Sequence, residues 1–196
     1  MDISALAQQL IARQCDLHKG QCGRIGLFTG SQVMLGAAIL VGTAALRSGA
    51  GLVYAYCQDL AMVMPMVGCC PPLIGVAIDD WLRSKDYQLW FKHISSQSID
   101  VLAMGPGLAA SEDVVLGLKA VVDWAYNQSL PMVLDADVFT HLSVECVANC
   151  SKNTIVLTPH EGEFKRFFVD LGAMLTLDLN VRQSIAQKAA RQSNQV

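Results

Sequence analysis

The sequence predicts an α/β domain built on a parallel sheet. Short, largely apolar runs, such as RIGLF at 24–28, VLAM at 101–104 and PMVL at 131–134, alternate with longer helix-like stretches. Strands that are apolar throughout belong to sheets buried on both faces, whereas half-exposed strands alternate apolar and polar residues. Regular strand–helix alternation is the signature of parallel strands joined by crossover helices. Several of the apolar runs also end abruptly in Gly, Asp or Pro, at the carboxyl ends where parallel sheets receive ligands.

Each element follows from local pattern. MDISALAQQLIARQ at the start reads as an amphipathic helix. Arg24–Phe28 is a strand closing in the turn signal Thr29-Gly30-Ser31. Gly36–Ser48 is a helix rich in small residues, with Gly49 placed to cap its C-terminus. Leu52–Tyr56 is the second strand. Pro65–Pro72 holds three prolines and reads as a loop. Leu73–Ile78 is a further strand, and Trp81–Ile94 is either a helix or an irregular excursion. Val101–Met104 is a strand that runs directly into Gly105-Pro106-Gly107. Asp113–Asn127 is a helix with Val114, Leu118, Val121, Val122 and Ala125 on one side. Pro131–Leu134 ends in Asp135-Ala136-Asp137, Thr140–Val147 is a short helix, and 154–157 is a strand ending in Thr158-Pro159-His160. Glu161–Phe168 and Leu177–Gln192 are helical. No repeat, low-complexity tract or linker divides the chain, so residues 1–196 form one domain.

Composition narrows the function. Hydrophobic residues make up 53% of the 196 and charged residues 16%, which excludes an extended disordered chain. The formal charge is −3 and no basic stripe occurs, so nucleic acid is not an expected partner. No apolar run approaches the roughly 20 residues of a membrane span. The N-terminus lacks a basic-then-apolar signal pattern, and the expected location is the cytoplasm. Seven cysteines without such a signal point to reduced thiols, packed as small apolar side chains. Cys146 and Cys150 could share a helix face, but no second ligand pair has suitable spacing, so no metal site is expected.

Four strand ends carry unusual chemistry: Thr29-Gly30-Ser31, Gly105-Pro106-Gly107, Asp135-Ala136-Asp137 and TPHEGE at 158–163. The last three, and the helix start at Gly36, each have two readings. Gly105-Pro106-Gly107 lets backbone approach a ligand and offer its N–H groups, or it is an ordinary turn. Asp135 accepts hydrogen bonds from a ligand or helps hold a hydrated Mg²⁺, or else Asp135 or Asp137 caps the next helix. His160 binds an anion or a ligand hydroxyl, or is a capping or solvent-exposed histidine, while Glu161 and Glu163 suit the positive end of a helix dipole. Gly36-Ala37-Ala38 opens a helix in a way that suits phosphate or ribose, or serves tight helix–sheet packing. The coincidence of the four ends carries the signal. No GxxxxGK[ST], GxGxxG or GxSxG motif is present, which counts against P-loop NTPases, common dinucleotide dehydrogenases and α/β-hydrolases.

Together these stretches resemble the ADP/ATP-dependent (S)-NAD(P)H-hydrate dehydratases, the C-terminal domain type of the YjeF family. The matching segments are His18-Lys19-Gly20 through Gly51, DVLAMGPGL at 100–108, PMVLDADVFTHL at 131–142 and TIVLTPHEGEF at 154–164. They occur in the family's order. The resemblance implies a ribokinase-like three-layer α/β/α fold with a mainly parallel sheet. It also implies dehydration of hydrated NADH and NADPH, the damaged cofactors NADHX and NADPHX, coupled to ADP or ATP with Mg²⁺. Carried over by motif, Ala37 or Ala38, Gly107 and His160 would contact the hydrated nucleotide, with Asp135 in the same cleft. Relatives form higher oligomers, so a homo-oligomer is implied.

The sequence departs from the family in one large respect. The resemblance assigns nucleotide binding and the catalytic base to a GTGD segment at a later helix N-terminus, helped by an upstream Lys-Gly. No GTGD occurs in the 196 residues, and Lys19-Gly20 is their only Lys-Gly. The domain is therefore expected to be incomplete at its C-terminus, with an unpaired sheet edge, an uncovered apolar face, no catalytic residue of its own and little or no dehydratase activity. It is also expected to be a standalone copy without an attached epimerase domain. Smaller departures are Glu161, where the family usually has Pro, and Val33-Met34-Leu35, where a Tyr-Thr pair usually precedes Gly-Ala. The competing readings are another ribokinase-like enzyme, such as a vitamin-precursor kinase, and a catalytically dead binding or assembly subunit.

Overall fold

The structure is a computed structural model that describes residues 17–109, 111–148, 155–193 and 195. The expected N-terminal helix at 1–14 and the Cys146–Cys150 pairing fall wholly or partly outside these residues. Six strands form one sheet: β1 (Arg24–Phe28), β2 (Leu52–Cys57), β3 (Ile74–Ala77), β4 (Val101–Met104), β5 (Met132–Leu134) and β6 (Ile155–Leu157). Their spatial order is β3-β2-β1-β4-β5-β6, and every neighbouring pair is parallel. The helices are α1 (Leu35–Arg47), α2 (Val63–Cys69), α3 (Asp79–Ser84), α4 (Tyr87–Ser96), α5 (Glu112–Asn127), α6 (Val138–His141), α7 (Val144–Ala148), α8 (Glu161–Phe167), α9 (Val169–Gly172) and α10 (Leu179–Ser193).

The period of two along each strand sorts side chains into two cores. Leu27, Val53, Ala55 and Cys57 face α1 and α2, and join Ala38, Met62 and Met66. Phe28, Tyr54, Tyr56, Leu102, Met104, Met132, Leu134 and Ile155 face the other way. They pack with Leu82, Trp90, Ile94, Leu118, Val121, Phe139, Phe167 and Ala189 from helices α3–α5, α6, α8 and α10. This is the three-layer α/β/α arrangement. Trp90 meets Phe28 edge to face at 4.8 Å, so the larger core backs directly onto the carboxyl end of β1.

Burial on both faces holds only for half of the sheet. The register places Leu27, Ala103, Val133 and Val156 in one cross-strand row on the α1–α2 face. Exposure grows along that row, from 1% at Leu27 to 43% at Val156, because α1 and α2 lie over β1–β3. Among the described residues β6 pairs only with β5, while the Gln195 side chain accepts from Ile155 N–H at 2.9 Å. Among the described residues β6 is thus the last strand on that side, and the α1–α2 face of the sheet becomes more exposed toward it.

Three local expectations are corrected. Residues 65–72 are not all loop, since α2 runs to Cys69 with Pro65 as its third residue. The first turn of a helix leaves its N–H groups without intrahelical partners, so a proline there removes no bond. Residues 81–94 fall into two helices, parted at Lys85, whose φ of 56° is left-handed. The helix expected at 140–147 is likewise two short ones, α6 and α7. Of the described thiols, Cys57 and Cys70 are buried, whereas Cys69 is exposed.

Candidate functional site

Because β1, β4, β5 and β6 are consecutive and parallel, their four carboxyl-end motifs share one edge of the sheet. The chain winds outward one way through β1, β2 and β3, and the other way through β4, β5 and β6. Crevices form at such a reversal, here between β1 and β4, because the flanking connections leave in opposite directions. The two loops are stitched together there. Gly30 N–H donates to the Pro106 carbonyl at 2.7 Å, and Gly105 N–H donates to that of Phe28 at 3.1 Å.

Glycine is required at this junction. A Cβ on Gly105, whose φ is 128°, would lie 1.7 Å from the Asp135 carbonyl oxygen. On Gly107 (φ 72°) it would lie 2.8 Å from the Ala37 methyl, and on Gly30 (φ 77°) 2.8 Å from that of Ala38. The structure therefore brings Ala37 to Gly107 and Ala38 to Gly30. Tight packing is the first role of these small residues. Ala38 is only 1% exposed, so its side chain supports the site from beneath. At Gly105 the space that the sequence reading reserved for a ligand is filled by Asp135. Among the described residues no hydrogen bond is seen from Gly107 N–H. The opening of α1 lies over the same point, with Met34 supplying no side-chain cap and open space around Gly36. Uncapped amides at a helix start attract anions.

Two side chains of the Thr29-Gly30-Ser31 strand end, given no individual role from sequence, stand out. The hydroxyls of Thr29 and Ser31, each on a residue 3% exposed, have no hydrogen-bond partner. A buried hydroxyl left unpaired costs about 1–3 kcal/mol, so two of them flanking Gly30 mark a place where partners are missing. The signal in the sequence is the Thr29-Gly30-Ser31 strand end itself, with no individual role attached to either hydroxyl.

On the β5–β6 side the carboxylates divide differently from expectation. Asp135 is half-buried, and its backbone does the visible work, accepting from Val138 N–H at 3.2 Å and crowding Gly105. Asp137 begins α6 but makes no side-chain cap. Burial holds its carboxyl above the usual range; the His141 ring opposes this, the charge of Glu163 adds to it, and the Leu108 amide opposes it. Asp137 is therefore the carboxylate that senses both the β4 loop and α8. His160 fulfils its capping alternative: Nδ1 accepts from Gly162 N–H at 2.9 Å and Glu163 N–H at 3.3 Å. Glu163, buried, accepts from His160 N–H at 2.8 Å, and its other oxygen lies 3.2 Å from Nε2. With Nδ1 an acceptor, the neutral ring carries its proton on Nε2. The side chain stays 69% exposed beside the other strand ends.

Comparison with known proteins identifies the family and the fold. The NAD(P)H-hydrate dehydratase family model matches residues 25–196. The chain belongs to that family. It is 33% identical over 150 residues to the ATP-dependent (S)-NAD(P)H-hydrate dehydratase of Heterostelium pallidum, an alignment covering 76% of this chain and 35% of the relative. It is 32% identical to the ADP-dependent (S)-NAD(P)H-hydrate dehydratase of Bacillus subtilis, covering 79% of this chain and 50% of that protein. The crystal structure of the Bacillus subtilis ADP/ATP-dependent enzyme, co-crystallised with ATP/Mg²⁺, superposes with a TM-score of 0.68 at 28% identity, over 94% of this chain and 60% of that one. A ribokinase-like protein of Enterococcus faecalis shares the fold, with a TM-score of 0.70 at 22% identity, over 97% of this chain and 63% of that one. The chain spans about half or less of the length of these curated relatives. Among the described residues no group of three or more His, Cys, Asp or Glu is placed to hold a metal ion. With no GTGD in the 196 residues, no phosphoryl-transfer step is assigned here to a side chain of this chain.

Proposed function

We propose that the shared sheet edge binds the hydrated dinucleotides (S)-NADHX and (S)-NADPHX, for their dehydration to NADH and NADPH at the expense of ADP or ATP with Mg²⁺. The observation that carries this is the alignment of four family motifs on adjacent strand ends around two buried, unpartnered hydroxyls. In this reading Gly107 and the opening of α1 face the phosphate, drawn by the helix dipole, and the small side chains of Ala37 and Ala38 let it approach. Thr29 and Ser31 donate to phosphate or ribose oxygens. His160 offers its exposed edge to the hydrated ring, held in one tautomer by its cap, and Asp135 and Asp137 line the same side. The nucleotide co-substrate supplies the phosphoryl group that turns the ring hydroxyl into a leaving group; loss of that phosphate with a neighbouring proton restores the double bond.

Phosphoryl transfer depends on positioning and charge neutralisation. The GTGD segment that supplies both by resemblance does not occur in the 196 residues. The 196-residue chain alone is therefore proposed to bind the hydrated dinucleotide with little or no turnover. No helix among the described residues is long and apolar enough to cross a membrane. We take the protein to work in the cytoplasm, as a homo-oligomer. The test is calorimetric titration with NADPHX, followed by recovery of NADPH absorbance with ADP or ATP and Mg²⁺. Binding with minimal turnover is expected. Failure to bind either hydrated dinucleotide refutes the substrate assignment, and full-rate turnover refutes the dependence on GTGD.

A further inference from the structure

Of the residues that line a cleft at the carboxyl ends of β1 and β2, only Ser31 has a role above. Ser31, Gln32, Gln58, Asp59, Met62 and Ala109 line a cavity of about 330 Å³. The unpartnered, buried Ser31 hydroxyl belongs to its wall. Asp59, two residues beyond β2, is held by two bonds: Oδ1 accepts from Ala61 N–H at 2.7 Å and Oδ2 from Gln32 Nε2 at 2.6 Å. Each carboxylate oxygen keeps a further lone pair, now fixed in direction. Gln58 Nε2 donates to the Gly30 carbonyl at 2.7 Å and ties the cleft to the β1 loop.

We infer that this cleft holds the adenosine ribose of the dinucleotide, that Asp59 accepts from its 2′- and 3′-hydroxyls, and that Asp59 thereby selects hydrated NADH over hydrated NADPH. The inference rests on the dinucleotide reading of the site. A dinucleotide with its pyrophosphate at the opening of α1 sends one nucleoside over β2 and the other over β4–β6. The titratable groups Asp137, His160 and Glu163 lie on the β5–β6 side, so the reacting ring belongs there and the inert adenosine over β2. A carboxylate at the end of β2, in a sheet ordered β3-β2-β1-β4-β5-β6, is the placement from which dinucleotide-binding folds grip a ribose diol. A 2′-phosphate would bring its negative charge against Asp59, and the cleft lining contains no Lys or Arg to offset it.

The test compares the affinities of the 196-residue chain for NADHX and NADPHX by calorimetry, for wild type, Asp59→Asn and Asp59→Ser. Asn and Ser both retain capping ability, and thermal unfolding checks the fold. Like charges juxtaposed on binding are costly, so wild type should prefer NADHX by about tenfold or more. Both variants should bring the two affinities to within about threefold, chiefly by tightening NADPHX as the repulsion is lifted. Equal wild-type affinities overturn the inference, as does a preference that survives in both variants. If neither ligand binds wild type, the dinucleotide reading itself falls, and this inference with it. The wild-type ratio decides the matter even if both variants fail to fold.

Discussion

Replacing Gly105 with Ala probes the junction on which the site is built. The new Cβ would sit 1.7 Å from the Asp135 carbonyl oxygen and 2.8 Å from its carbon. Both atoms are backbone, so no side-chain rotation relieves the overlap. The residue would also keep a φ of 128°, a conformation that costs an L side chain about 1–3 kcal/mol. Forcing β4 and β5 apart at their carboxyl ends adds a comparable amount, about 1–3 kcal/mol by analogy with overpacked cores. The loss is on the order of 4 kcal/mol, a large share of a domain's usual ~5–15 kcal/mol. At about 2–4 °C per kcal/mol for a chain of this size, Tm should fall by roughly 8–16 °C. Two nearby glycines calibrate the measurement. Gly107→Ala meets the Ala37 methyl at 2.8 Å and the Met34 Cβ methylene at 3.0 Å as well as the Met34 carbonyl at 3.3 Å, and should cost about 1–3 kcal/mol. Gly36→Ala enters open space in the first turn of α1, and should be neutral or stabilising by up to about 1 kcal/mol. Thermal and urea unfolding of the three variants give the order directly. A Gly105→Ala protein melting within about 2 °C of wild type would refute the reasoning, because the Asp135 contact could not then be as close as described.

Three further outcomes are expected. His160→Asn should keep most of the cap and its stability but weaken binding of hydrated dinucleotide, whereas His160→Ala should also lose about 1 kcal/mol in urea unfolding; equal binding by both variants and wild type would remove His160 from the site. The raised Asp137 carboxyl binds its proton more tightly folded than unfolded, so it costs stability above its folded pKa and none below the ordinary carboxylate value. Asp137→Asn should therefore be more stable than wild type at neutral pH, with the gap narrowing as pH falls through that window in a urea-melt series. Val156→Thr, on the more exposed half-face of the sheet, should cost under about 1 kcal/mol while lowering binding of an apolar dye and slowing aggregation at micromolar concentration.

Much of this molecule is legible in one dimension. β1 and β4 carry the bounds that their apolar runs announce, and α1, α5 and α8 differ from expectation by a residue at one or both ends. Those elements are periodic or sharply punctuated, and local sterics settle them. The errors fall where a neighbour overrides local preference. Pro65 is tolerated because it lands in a first turn, and 81–94 breaks in two because Lys85 adopts a left-handed φ. Gly107 and His160, singled out by motif, have visible structural duties in packing and capping, and the Asp137 carboxyl is held up chiefly by burial, with charges on other elements adjusting it.

The amino-acid sequence by itself determined the strand and helix inventory, the parallel class of the sheet and the presence of four ligand-competent strand ends, because apolar periodicity and turn chemistry are local properties. Only the tertiary structure decided that the four ends are neighbours, since adjacency depends on a strand order that places β4 beside β1 and not beside β3. The same order closes Gly105 onto Asp135, seats Ala37 and Ala38 against Gly107 and Gly30, and strands the hydroxyls of Thr29 and Ser31 without partners. It also leaves Val133 and Val156 beyond the reach of α1 and α2. Burial, charge coupling and close approach are properties of pairs far apart in the chain, so they exist only once the chain has folded.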